Sequence, residues 1–382
     1  MKSPIRTNNF DLIRLLAAAQ VVAHHGIDNL SLDRHSGIVG VIAMAIRYFP
    51  GVPVFFFVSG FLISKSYESS PGVLEYARNR MLRIYPALIV CTLLSVAAVF
   101  VLGYLPRPDA SPPRLVLWVL AQMSIVQFYN PDFMREFGVG VLNGSLWTIT
   151  VELQFYLVTP LLYAMLGLKH RRGTLPLALT ALVLLVPNLG YWHAGPEDHP
   201  GMLLKLFGMT FLPWYSMFLV GVLAQRNFHQ LHAWLAGRAP LVGAIYLAAT
   251  QFAVQVLGWG ASNDIHPVLY LLLAAFVFSL AYTWPGTAEK LLHRQDVSYG
   301  VYIYHMPCIN VLLYLGMRGH AHVLGITYMT VALLATLSWV CVERPCLSMK
   351  RGGLRHGPSQ AKPSPPTLDG LPARASLPTT HE

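Results

Sequence analysis

Ten stretches of about twenty mostly apolar residues follow one another through this chain of 382 residues, and they restrict its fold more than any other feature. Crossing ~30 Å of hydrocarbon takes about 20 apolar residues in a helix. In lipid the backbone has no water to bond, so only helices and closed barrels can span. The windows fall at about 9–27, 48–66, 84–105, 143–168, 174–192, 203–225, 239–258, 266–284, 297–317 and 322–342. They predict an all-α, polytopic membrane protein with about ten transmembrane helices. Charged residues make up 12% of the chain, about half the share usual in a soluble domain. The first window lacks a small-residue cleavage site and is followed by further spans, so it reads as a retained helix and not as a signal peptide.

Orientation follows from the basic residues. With the N-terminus inside, the even connections hold Arg78, Arg80 and Arg83, then Lys169, Arg171 and Arg172, then Arg226 and Arg238, then Lys290 and Arg294. The odd connections carry fewer arginines, over longer loops. The positive-inside rule therefore places both termini in the cytoplasm. It also accounts for the formal charge of +10 without nucleic acid as a partner. Residues 115–128 are apolar but too short to span, which suggests an interfacial or re-entrant helix. From about 351 the chain is rich in proline and small polar residues, so 1–345 reads as the membrane domain and 346–382 as a disordered cytoplasmic tail. The four cysteines (Cys91, Cys308, Cys341 and Cys346) have no metal-ligand spacing, and neither a zinc site nor a disulfide framework is expected.

The first window also carries ionisable residues, which cost at least ~2.5–3.5 kcal/mol each at membrane depth and persist mainly where they face a cavity. Arg14 and His25 are eleven residues apart, so they share a helix face about 16 Å apart along the axis. Asp11 precedes Arg14 by three on the same face. Counting from the opposite side, Glu152 in the fourth window falls near the depth of His25, and a carboxylate beside an imidazole can orient it and stabilise its cation. Arg80 and Arg83, three apart at the cytoplasmic start of the third window, can grip a phosphate-bearing ligand with Arg14. The same arginines would also simply orient the helix against lipid headgroups. Ser59 and Gly60 permit close helix approach in the second window, and in the ninth, His305 stands beside Tyr302, Tyr304 and Pro307.

Taken in order, these pieces resemble the acyltransferase 3 family of integral membrane enzymes. An Asp-x-x-Arg…His helix is matched by Asp11, Arg14 and His25. A Phe-Phe-x-x-Ser-Gly-Phe-Leu-Ile helix is matched from Phe56 to Ile63, through Ser59 and Gly60. Arg-x-x-Arg-Ile-x-Pro appears as Arg80, Arg83, Ile84 and Pro86, and Val-Glu-x-Gln-Phe-Tyr as Val151 to Tyr156. Ser298, Tyr299, Tyr302, His305 and Pro307 match a later segment, and Glu343, Arg344 and Pro345 close the series. One departure is Leu153, where a second Glu often stands.

The resemblance implies a multi-pass enzyme of the bacterial cytoplasmic membrane that moves an acetyl group from cytoplasmic acetyl-coenzyme A to a hydroxyl of a surface or exported glycan, or of a lipid-linked saccharide. No cofactor would be bound permanently. His25, Glu152, Arg14 and Asp11 would be catalytic, Arg80, Arg83, Ser59 and Gly60 donor-binding, with Tyr302 and His305 as further candidates. His25 would act as general base or as transient acyl carrier. External loops 28–47 and 106–142 would shape acceptor choice. A secondary transporter or flippase is the main rival, although no paired halves of the kind such folds show are evident. An acyltransferase dedicated to lipid is a third reading.

Overall fold

The computed structural model describes residues 8–169, 173–195, 201–293 and 295–349, and all regular structure among them is helical. Most of the tail expected at 346–382 lies outside the described residues. The chain runs through α1 (Phe10–Asn29), α2 (Gly37–Ile46), α3 (Gly51–Ser69), α4 (Val73–Val101), α5 (Pro112–Gln122) and α6 (Trp147–Met165). It continues with α7 (Leu175–Val183), α8 (Leu185–His193), α9 (Met202–Gly208), α10 (Tyr215–Arg226), α11 (Phe228–Leu235) and α12 (Ala239–Leu257). The last are α13 (Pro267–Thr283), α14 (Thr287–Leu292), α15 (Ser298–Tyr314), α16 (Ala321–Ser338) and α17 (Arg344–Ser348).

Five described segments are long and apolar enough to cross a membrane: Gly37–Ser69, Val73–Val101, Leu175–His193, Ala239–Leu257 and Ala321–Ser348. The helices α1, α6, α13 and α15 are not among them. Asp11, Arg14, His24 and His25 lower the hydropathy of α1, Glu152 does the same for α6, and α13 and α15 are short, at 17 residues each. Large apolar side chains such as Met44, Leu161, Leu203 and Met329 project outward, as the lipid-facing side of a membrane protein requires.

Two expected spans are broken. The window 174–192 divides at Leu184 into α7 and α8. The window 203–225 divides into α9 and α10 around Thr210–Trp214. Backbone freed by such a break must be satisfied by protein. Here Gln154 on α6 donates to the carbonyl of Met209 at 2.8 Å and accepts from the amide of Phe211 at 2.9 Å. Asn188 donates to the carbonyl of Pro213 at 2.7 Å.

Helix prolines are handled in the same way. Pro307 lacks the N–H that would bond the carbonyl of Ile303 four residues back. That carbonyl instead accepts from Asn143 Nδ2 at 2.8 Å. Pro160 frees the carbonyl of Tyr156, which accepts from the Tyr76 hydroxyl at 3.3 Å. The centre of the bundle is formed by α1, α3, α10 and α15. A Cβ on Gly60 would overlap the carbonyl oxygen of Phe218, and one on Gly221 that of Phe57, so these two glycines let α3 and α10 cross at backbone distance. The start of α1 is pinned by Asn9, which donates to the carbonyl of Trp284 at 2.8 Å and accepts from the amide of Ala288 at 3.0 Å.

Candidate active site

At one end of the bundle, four elements bring charge together. Arg14 on α1 donates to Asp296 Oδ2 at 2.8 Å. Arg83 on α4 pairs with that same carboxylate oxygen and lies 3.7 Å from Glu343. Asp296, just before α15, also accepts from the hydroxyl of Ser298. Glu343 reaches this cluster because α16 ends in a π-helical turn, Trp339–Glu343, an irregularity that re-aims side chains. Arg83, Asp296 and Glu343 are 13%, 15% and 2% exposed, so the cluster is largely shielded from water. Asp11 lies exposed in the first turn of α1.

A narrow cavity of about 40 Å³ runs from Arg14 past Ser59, Thr148 and Glu152 to Tyr302. Glu152 Oε1 accepts from the hydroxyl of Tyr156, one turn on, at 2.7 Å and from that of Ser59 at 3.3 Å. The guanidinium of Arg80 stands 5.8 Å over the Tyr156 ring and donates to Ser66 at 3.1 Å. Its Nε–H is buried without a partner. Arg80, Tyr156, Glu152 and Ser59 therefore form one polar line into the bundle.

The other end of that line meets two imidazoles. The rings of His25 and His305 stack with centroids 5.4 Å apart and planes 26° from parallel. His305 is fully buried. Its Nδ1 is 2.5 Å from the carbonyl of Tyr302, and a carbonyl only accepts, so the neutral ring carries its proton on Nδ1 and presents a lone pair at Nε2. That Nε2 has no partner. Tyr302 lies edge-on to His305 at 5.6 Å, and its hydroxyl is 2.6 Å from Thr148 Oγ1.

Several sequence expectations change in detail. The sequence puts Glu152 only near the depth of His25; in the structure the hydrogen-bond partners of Glu152 are Tyr156 and Ser59, and His305 stacks on His25. Register explains this, since similar depth on two helices does not fix which faces meet. Gly60, expected at the donor site, lies in the α3–α10 crossing. Arg83 is already neutralised by Asp296 and Glu343. Neither Asp296 nor the bridging role of Glu343 was read from the sequence; the available signal was an Asp two residues before Ser298, a helix-start pattern.

With this geometry in view, the comparisons fix the family. The profile of the acyltransferase 3 family, described as an acyltransferase domain, matches residues 7–342, and the chain belongs to that family of membrane acyltransferases. It is 34% identical over 360 residues to "Nodulation protein 10" of Rhizobium leguminosarum bv. viciae, covering 90% of this chain and 94% of the relative. It is 26% identical over 350 residues to the "O-acetyl transferase" of Shigella phage Sf6, covering 90% and 97%. It is also 26% identical over 339 residues to "Acyltransferase MdmB" of Streptomyces mycarofaciens, covering 83% and 84%. No solved structure matches significantly. The chain is thus an O-acyltransferase with several helices able to span a membrane.

Proposed function

We propose that this protein transfers an acetyl group from acetyl-coenzyme A to a saccharide hydroxyl, with the donor entering at the arginine end and the acceptor at the opposite end. The carrying observation is that Arg14, Ser59, Glu152 and Tyr302 line one narrow cavity, with Arg80 over the ring of Tyr156 beside it and Tyr302 edge-on to His305. Along α1, Arg14 and His25 are separated by about 16 Å of helix, the scale of an extended pantetheine arm. The bacterial and phage relatives named O-acetyl transferase and acyltransferase support the reaction class.

Arg80 grips the donor phosphates, its unpartnered N–H supplying a ready bond. Arg14 and Arg83 are held in place by Asp296 and Glu343, whose charges offset theirs. The thioester then lies beside the imidazoles. His25 takes the proton of the acceptor hydroxyl as its oxygen attacks the thioester carbonyl; the carbon–sulfur bond breaks, and the coenzyme leaves as a thiolate that is reprotonated by the imidazolium. The His305 ring, stacked against that of His25, holds the plane of that ring for the transfer. A thioester is already activated, so positioning and one base suffice.

The test is to supply acetyl-labelled coenzyme A to the cytoplasmic face of inverted membrane vesicles. Label in the saccharide fraction supports the proposal. Label confined to lipid, or none transferred while the thioester persists, overturns it.

A further inference from the structure

The broken helix α9–α10 borders a second cavity, and its lining points to a ligand. The cavity measures about 340 Å³, within the roughly 300–1,000 Å³ of small-molecule sites. Its wall includes Trp147, Tyr191, Trp192 and Trp214, with Gln127 and Asn130 between them. The aromatic rings brace one another: Trp147 lies 5.1 Å from Trp214, and Trp192 5.8 Å. Three polar groups at this wall are buried without partners, namely Gln127 Nε2, Asn130 Oδ1 and Trp192 Nε1. Gln127 is 5% exposed. Leaving such groups unpaired costs about 1–3 kcal/mol each, so the wall is built for something that bonds them.

We infer that this cavity seats one pyranose residue of the acceptor, an inference that rests on the glycan reading above. A pyranose has a C–H face that lies flat on aromatic rings and a rim of hydroxyls that each donate and accept. Gln127 and Asn130 offer an amide donor and a carbonyl acceptor, and Trp192 offers a further donor. An acyl chain would leave all three unpaired. A phosphate would call for guanidinium forks, and among the described residues the one cation in this wall is Lys205 at the exposed rim.

Position agrees with chemistry. Asn143, on the same wall, bonds the carbonyl of Ile303, and a Cβ on neighbouring Gly144 would sit 3.7 Å from Met306 Cε. His305 lies between Ile303 and Met306 on that turn of α15. The sugar seat therefore abuts the helix turn that carries the inner imidazole, on the side away from the arginine cluster.

Ligand-observed saturation-transfer NMR on the full chain in lipid nanodiscs tests this, using methyl glucoside, methyl galactoside and methyl N-acetylglucosaminide, with open-chain glucitol as control. At least one pyranoside should show saturable transfer, strongest at the C–H protons of one ring face, and glucitol none. Gln127→Leu should weaken that binding about tenfold. Trp192→Phe, which keeps an aromatic ring and loses only the N–H, should weaken it less and serves as the variant least able to disturb folding. Binding unchanged in both variants, or equal transfer to glucitol, overturns the assignment. Absence of pyranoside binding overturns the cavity alone if label still reaches saccharide in vesicles. If label reaches no saccharide either, the glycan reading fails as well. Pyranoside binding without label transfer keeps the sugar seat and removes the acetyl donor.

Discussion

Replacing Asp296 with Ala should destabilise the bundle more than any single change in a connecting segment. Its carboxylate bonds both Arg14 and Arg83, three side chains only 15%, 21% and 13% exposed. Removing one partner of a fully buried pair costs about 3–5 kcal/mol, because the remaining charge is left desolvated. Partial exposure reduces that figure, and Arg83 keeps Glu343 at 3.7 Å. A loss of about 2–4 kcal/mol therefore follows. Reversible unfolding in mixed detergent micelles, followed for wild type, Asp296→Ala, Arg83→Met and the double variant, measures it. The two changes should couple by at least ~1 kcal/mol, since residues in one network are not additive. A loss below ~0.5 kcal/mol, or strict additivity, would refute the claim that Asp296 holds the arginines in place.

Arg80→Ala should raise the KM for acetyl-coenzyme A about tenfold or more with kcat largely kept, since a charged hydrogen bond contributes about 1.5–3 kcal/mol; initial rates against donor concentration read this directly. Gly60→Leu should abolish the folded protein by forcing α3 off α10, seen as loss of the monodisperse peak in size-exclusion chromatography, whereas Ser59→Ala should fold normally. Asn143→Leu leaves the Ile303 carbonyl only the weak thiol donor of Cys91 at 3.4 Å and should cost about 1–3 kcal/mol in the same unfolding assay.

Much of this arrangement was legible in the chain. The apolar windows mark helices that form near their expected positions, from Phe10–Asn29 to Ala321–Ser338, because window length and hydropathy are local properties. The interval from Arg14 to His25 is also local, fixed by helix rise. The two breaks were not legible: 174–192 and 203–225 read as continuous, and the backbone opened in the second is repaid by the remote groups Gln154 and Asn188. The short helix α2 lies in a segment that reads as loop, because its ten residues fall below spanning length. Segment 115–128 reads as a short helix, and α5 (Pro112–Gln122) covers its first part.

Partners across the bundle were the least visible. His305 against His25 depends on the rotation of α15 relative to α1, which no spacing within either helix records. Asp296 lies between charged and polar residues that look like an ordinary connection, and its role appears only when α1 and α4 arrive beside it. The Trp147–Trp192–Trp214 wall joins three distant segments, each of which alone reads as interfacial aromatic belt.

The most direct test of the account is the rate of label transfer from acetyl-coenzyme A to saccharide in inverted vesicles carrying His25→Ala at the wild-type level of membrane protein. General base catalysis contributes about 10²–10⁴-fold, so the rate should fall at least ~100-fold while donor binding persists. Transfer within a few-fold of wild type would show that the His25–His305 pair is not where the acyl group moves.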